Sequence, residues 1–151
     1  MSALQKIADG VRSIFKSTKP ALPEGPLRAV NPARSSILAT HLEVAASGPK
    51  RRKGLLGRDR LVPGEGLWIV PCESVHTFFM RFPIDLVYLD RENRVRKVRS
   101  TVGAWRMSVC FSAYSVLELP AGTVRDTKTQ RGDTLEFSPV SGEVQGSTST
   151  T

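Results

Sequence analysis

The sequence predicts a small, mainly β domain, either barrel-like or a sandwich, with one short helix and an additional N-terminal amphipathic helix. Short apolar segments alternate with polar turns, such as those at residues 63–66 and 120–122. Several short strands at this spacing are typical of barrels and sandwiches. The chain has 151 residues, 40% hydrophobic and 24% charged, which suits one ordinary domain with a buried core.

Each element follows from a local pattern. Apolar or alternating segments bounded by turn residues predict strands, and Pro49 before a basic segment with two leucines predicts the start of a short helix. Pro83 cannot donate to a ladder, so it separates two strands at a bulge, edge or corner. The predicted strands are 37–44, 67–70, 75–82, 84–90, 95–102, 114–119 and 134–137, and the helix is 50–57.

The predicted domain organisation is a folded unit at 35–139 between two less structured ends. Residues 1–34 combine an amphipathic helix, with apolar positions at helical spacing in 3–16, and a linker that contains four prolines. Residues 140–151 are rich in Ser, Thr and Gly and are predicted to be disordered. Helix 3–16 either packs on its own domain or makes a weak contact with a membrane surface.

The charge of the chain is concentrated near its N-terminus. The net charge is +8, and residues 1–60 hold twelve Lys or Arg against four Asp or Glu, which accounts for all of it. No RNA-recognition motif is present, so no specific nucleic acid is expected as a partner. No apolar segment is long enough to cross a bilayer, and no secretory signal is evident. The predicted location is the cytoplasm, either free or peripherally bound to a membrane.

The sequence predicts no metal site and no cofactor. Cys72, His76 and Met80 are potential copper ligands by residue type. On one strand, however, Cys72 and Met80 would be about 26 Å apart at roughly 3.3 Å per residue. One metal would require Cys72 to fold back on a loop, or Cys110 to approach from another strand.

Four segments in order resemble a known family. They are residues 51–58 (RRKGLLGR), 64–67 (GEGL), 76–90 (HTFFMRFPID and the strand after it) and 117–123 (LELPAGT), closed by Gly132 and Asp133. Together they resemble the bacterial and archaeal domain-of-unknown-function 192 family over about residues 36 to 138. The resemblance implies a compact β-barrel-like fold with a short helix, and it implies no activity. Many members carry a Met-Lys-Asn-Thr stretch that Met80-Arg81-Phe82 replaces here, and many relatives appear exported.

Six residues form the predicted polar patch for binding. Arginine near a short helix can hold phosphate or carboxylate, and a histidine near neutral pH can donate to an anion. Acids among apolar neighbours need a cation or hydrogen bonds, so Glu118 and Asp85 are the expected partners of Arg51 or Arg58. The candidate residues are Arg51, Arg58, His76, Arg81, Asp85 and Glu118.

Three functions remain open at the level of sequence. The first is a noncatalytic accessory domain that binds a small anionic ligand or an acidic protein segment at this patch. The second is a small hydrolase-like enzyme that uses His76 with Asp85 or Glu118. The third is a purely structural domain in which all polar residues pair internally. Whether the chain is an enzyme is left undecided by the sequence.

Overall fold

Strands are the main regular structure of the chain between residues 25 and 140. The structure is a computed structural model that describes residues 22–23 and 25–140. Its strands are β1 (Leu27–Asn31), β2 (Ser36–Ala45), β3 (Glu65–Ile69), β4 (Ser74–His76), β5 (Ile84–Leu89), β6 (Val95–Val102), β7 (Met107–Val109), β8 (Ser115–Pro120) and β9 (Glu136–Pro139). Two short helices are α1 (Gly48–Lys53) and α2 (Thr123–Thr127), and a 3-10 turn spans Pro32–Arg34.

In the described residues, seven strands form one sheet in the order β6-β5-β8-β3-β2-β1-β9, and β4 and β7 form a separate pair. All neighbours are antiparallel except β2 and β3, which are parallel. The sheet is not a closed barrel, so the barrel expectation needs correction. A bridge between Arg94 and Thr134 links the region of β6 to the segment before β9. Backbone amides of Val95, Gly132 and Leu135 add hydrogen bonds between the same two segments. The mainly β class is confirmed.

The large sheet has a buried cluster on each face, and β8 contributes to both. Alternate side chains of a strand point to opposite faces. Leu117 and Leu119 therefore pack in one cluster, with Leu42 and Leu89. Val116 packs in the other, which also holds the neighbouring strands' Leu67 and Leu86. A strand in the middle of the sheet thus has no solvent-facing side.

The predicted strand at 75–82 exists only as β4, and the rest of it is a turn. Thr77 leaves the ladder because its hydroxyl donates to the Gly103 carbonyl at 2.7 Å and its own backbone carbonyl accepts from Trp105. Phe79 has a φ of 63°, which no strand permits. Short β7 and the five-residue helix α2 were not predicted.

The folded domain begins before Ser35. β1 pairs with β2 and β9, and Leu27 and Ala29 are buried in the core although they lie in the predicted linker. The predicted helix at 3–16 and the tail after residue 140 lie outside the described residues. No helix in the described part of the chain is long and apolar enough to cross a bilayer.

Candidate functional site

A cleft of about 600 Å³ opens beside helix α1, and we refer to it as the α1–β4 cleft. Its wall is formed by α1 and the residues after it, by the loop that follows β3, and by β4. Glu118 of β8 also lines it. The lining residues are Gly48, Arg51, Arg52, Lys53, Gly54, Leu55, Leu56, Ile69, Pro71, Cys72, Glu73, Ser74, Val75, His76, Met80 and Glu118.

Local sequence defines the limits of α1. Ser47 precedes the helix in extended conformation, and its hydroxyl accepts from the Lys50 amide at 3.5 Å. A proline in the first turn needs no donor there, and Gly54 ends the helix with a φ of 48°. The four residues of its last turn are all cations, namely Lys50, Arg51, Arg52 and Lys53. The helix therefore brings positive charge to one side of the cleft.

Arg51 fixes α1 against the end of β3. Its Nη1 donates to the Ala46 carbonyl and, at 3.5 Å, to the Val70 carbonyl. Arg51 thus holds the cleft wall with its own hydrogen bonds. Arg52 and Lys53 are exposed on the same helix. Arg52 and Lys53 are therefore the solvent-exposed cations of the cleft wall in the part of the chain that the structure describes.

Glu118 is an acid in the centre of the sheet. It pairs with Leu67 of β3 on one side and Leu86 of β5 on the other. Its side chain is 4% exposed, and Oε2 is buried without a hydrogen-bond partner among the described residues. Burial raises the pKa of Glu118 from 4.5 to about 7, and the positive charge of Arg58 partly opposes that rise. An unpartnered carboxylate of this kind destabilises the empty domain.

The expected ion pair between Glu118 and Arg51 or Arg58 is absent. Arg58 instead pairs with Glu43, at 2.9 Å between Nη2 and Oε2, and it does not line the cleft. Arg51 donates to backbone carbonyls. Glu118 is buried, and the expected direct ion pair is wrong, although the positive charge of Arg58 still lowers the pKa of Glu118.

Cys72 and His76 face the same cleft as Glu118. The Cys72 thiol donates to the Ser74 carbonyl at 3.0 Å, and burial raises the pKa of that thiol above 9.0. His76 is exposed at the end of β4, and its ring stacks on Phe78 at 5.0 Å between centroids. Cys72 was considered in the sequence only as a metal ligand, because nothing in the sequence indicates that the loop after β3 returns to the cleft.

Two predicted site residues lie elsewhere. Asp85 is fully buried, and its carboxylate accepts from the amides of Thr101, Gly122 and Val124 at 2.7, 3.1 and 2.8 Å. It therefore joins α2 to the sheet. Arg81 is exposed and pairs with Asp59. Of the six candidates, the structure brings Arg51, His76 and Glu118 to the cleft.

Cys72 and Met80 do not lie on one continuous strand, because β4 spans only Ser74–His76, so the predicted separation of about 26 Å does not apply. Cys72, His76 and Met80 all line the cleft. Met80 is 9% exposed and belongs to the apolar cluster below it. The part of the chain that the structure describes holds no group of three or more His, Cys, Asp or Glu residues arranged to bind a metal ion.

Comparison with known proteins identifies relatives of the whole folded domain. The model of the DUF192 family, described as Uncharacterized ACR, matches residues 29–137. A UPF0127 protein of Pyrococcus abyssi is 33% identical over 115 residues, which cover 72% of this chain and 95% of that protein. A UPF0127 protein of Thermococcus gammatolerans is 30% identical over 117 residues, which cover 72% of this chain and 73% of that protein.

Two solved structures share the fold. A protein of unknown function from Novosphingobium aromaticivorans has a TM-score of 0.64 at 18% identity, and the match covers 74% of this chain and 83% of that one. A Sinorhizobium meliloti protein, whose description proposes a transcription regulator, has a TM-score of 0.65 at 21% identity, with 77% and 98% covered. At these identities the likeness concerns the fold alone.

Proposed function

This chain belongs to the DUF192 family of uncharacterized proteins, and on that premise we propose that its domain is a noncatalytic module that binds a small organic anion in the α1–β4 cleft. The observation that carries the proposal is Oε2 of Glu118, which is buried without a partner in a cleft of about 600 Å³. Native proteins satisfy nearly all buried polar groups, and exceptions often mark functional sites.

The lining indicates the chemistry of the ligand. Arg52 and Lys53 supply positive charge at the wall, which favours a carboxylate or phosphate. Leu55, Ile69 and Met80 supply an apolar surface between that wall and the sheet. Glu118 offers an acceptor for a hydroxyl or amine. A ligand with an anionic end, a short apolar body and a hydrogen-bond donor at its other end satisfies all three regions.

A matched set of probes separates these three contributions. The test compares the melting temperature of the full chain with 6-hydroxyhexanoate, hexanoate and 1-hexanol. A ligand that binds only the folded state raises the melting temperature. We expect the largest rise with 6-hydroxyhexanoate, a smaller one with hexanoate, which lacks the donor, and the smallest with 1-hexanol, which lacks the anion.

Variants assign each contribution to a residue. Glu118→Met removes the acceptor, so 6-hydroxyhexanoate and hexanoate should then give equal shifts. Arg52→Gln should weaken both anions, whereas Arg131→Gln removes an exposed cation outside the cleft and should change nothing. Equal shifts for all three probes in the wild-type protein, or an unchanged pattern in Glu118→Met, would rule out the proposed site.

The hydrolase-like alternative retains one supporting observation. His76 and Glu118 line the same cleft, and a pKa near 7 suits a general acid or base at neutral pH. Asp85 lies outside that cleft and is engaged by three amides. Hydrolysis of p-nitrophenyl butyrate that falls at least tenfold in both His76→Ala and Glu118→Gln would favour this alternative. No turnover, or turnover unchanged in both variants, would favour the binding module.

A further inference from the structure

Several large apolar side chains are exposed on or next to the β4–β7 pair. Val75 and Ser108, which are paired across it, point inward and are buried. Alternate residues therefore point outward. Met107 is 63% exposed, and Trp105 and Phe111, which lie outside β7 on either side, are 57% and 84% exposed. Together with Phe79, which is 72% exposed, we call these residues the apolar tip.

The aromatic part of the tip is held in place by ring contacts. The Phe78 and Trp105 rings stack at 5.7 Å, and the Phe79 ring meets the edge of Trp105 at 4.7 Å. Phe79 and Trp105 also adopt positive φ angles of 63° and 59°. Bulky residues rarely adopt this conformation, and such strain concentrates at functional sites. Strain and ring packing thus keep these apolar groups exposed.

The charge next to the tip in sequence is mainly positive, although Asp59 pairs with Arg81 and Glu73 is exposed beside β4. Residues 74–84 and 93–117 contain no Asp or Glu. They contain six cations, which are Arg81, Arg94, Arg96, Lys97, Arg99 and Arg106. Arg81 and Arg106 adjoin the tip in sequence, and both are exposed. The tip therefore combines exposed apolar groups with flanking positive charge, which is complementary to a negatively charged, partly apolar surface.

We propose that the apolar tip inserts into the interface of an anionic lipid bilayer. Trp and Phe favour the boundary between headgroups and acyl chains, and flanking arginines attract anionic headgroups. Single-stranded nucleic acid would instead stack on open ring faces. Here the Phe78 and Trp105 faces already contact each other, and Met107 offers no ring. The inference is independent of the ligand proposed for the cleft.

The test measures cosedimentation of the full chain with vesicles of phosphatidylcholine alone or mixed equally with phosphatidylglycerol. We expect binding to the mixed vesicles only, weakened at least fivefold by 0.5 M NaCl. The double variant Trp105→Ser/Phe111→Ser should lose at least tenfold in binding. The matched variant Ile37→Ser/Val140→Ser removes two exposed apolar side chains that lie outside the tip, one in β2 and one just after β9. It should bind as the wild type does.

A second measurement covers the case in which the double variant folds poorly. Trp105 is exposed and Trp68 is buried, so mixed vesicles should shift the fluorescence of the wild type to shorter wavelength. Trp105→Phe should lose that shift, because Trp68 is then the remaining tryptophan of the sequence. Undiminished binding by a folded double variant would assign the lipid contact to residues 3–16 and overturn the proposal. Absence of wild-type binding, or the same tip residues binding an oligonucleotide instead, would also overturn it.

Discussion

Gly54 lies over the buried carboxylate of Glu118, and a Cβ added to Gly54 would be 3.9 Å from Oε2. This distance places the end of α1 next to the carboxyl group of Glu118. Gly54 adopts a φ of 48° with a ψ of −130°, a combination that residues with a side chain avoid. The glycine therefore permits the turn that ends α1 beside Glu118.

The first prediction concerns that turn. Gly54→Ala should destabilise the domain by about 1–2 kcal/mol, because the strained backbone and not a steric clash opposes the new Cβ. Urea unfolding of the full chain measures this loss. Gly103→Ala is the control, because nothing lies within 4 Å of its added Cβ. Equal stability of the two variants would contradict the assigned backbone strain.

The second prediction separates Asp85 from the binding site. Asp85→Ala should cost about 3 kcal/mol or more, because three backbone amides lose the charged acceptor that they share. Asp85→Asn should recover part of this loss, since its oxygen still accepts. Both are measured by urea unfolding. Folded Asp85→Asn should bind 6-hydroxyhexanoate as the wild type does, and a selective loss of binding would return Asp85 to the site.

The third prediction concerns stability in acid. Arg34 and Asn31 donate to Asp133, and chiefly the Arg34 hydrogen bonds lower the pKa of Asp133 from 3.8 to about 2. Its stabilising contribution is therefore present above pH 4 and is lost as the pH falls through 2.

The matching variant is Asp133→Asn. It should lower the melting temperature at pH 7 and remove part of the pH dependence between 4 and 2. Asp126→Asn, which affects an exposed pair with Arg125, should do neither. Identical acid profiles for wild type and Asp133→Asn would show that the depressed pKa is wrong.

The fourth prediction concerns the Cys72 thiol. In a Cys110→Ser protein, Cys72 is the remaining cysteine of the sequence. Because burial raises its pKa above 9.0, its alkylation by iodoacetamide should be slow at pH 7 and still accelerate above pH 9. Bound 6-hydroxyhexanoate should slow it further by filling the cleft. Rapid alkylation at pH 7 with no further rise at higher pH would contradict the assigned environment.

The large strands could be predicted from sequence because burial imposes a clear pattern on them. β2, β5, β6 and β8 follow apolar or alternating segments bounded by turns, and each was predicted within a few residues. β7 was missed because it has three residues and combines an inward Ser108 with outward Met107. α2 was missed because its start depends on Asp85, which is 37 residues away from Gly122.

The site was predictable only in part, for a similar reason. Glu118 could be selected as a candidate because it is an acid among Val116, Leu117 and Leu119, and the structure buries it. Its neighbours across the cleft depend on how α1 and the loop after β3 fold against the sheet. Arg58 therefore appeared equivalent to Arg51 in sequence, although it pairs with Glu43 outside the cleft.

Glu118 weakens the empty domain, because its Oε2 is buried without a hydrogen-bond partner among the described residues. Its pKa is about 7 in the folded state and near 4.5 when unfolded, so the folded state binds the extra proton between these values. The stabilisation from protonation is full below pH 4.5 and is lost as the pH rises through 7. Glu118→Gln keeps the shape and removes this dependence.

The most direct test is the free energy of unfolding of wild type and Glu118→Gln, measured in urea from pH 4.5 to pH 8. The free energy of unfolding of Glu118→Gln should rise relative to that of the wild type as the pH rises, by on the order of 2–3 kcal/mol. The variant should be the more stable protein at pH 8. If Glu118→Gln is less stable than the wild type at pH 8, and the difference in unfolding free energy does not change with pH, Glu118 is a structural residue and does not weaken the empty domain.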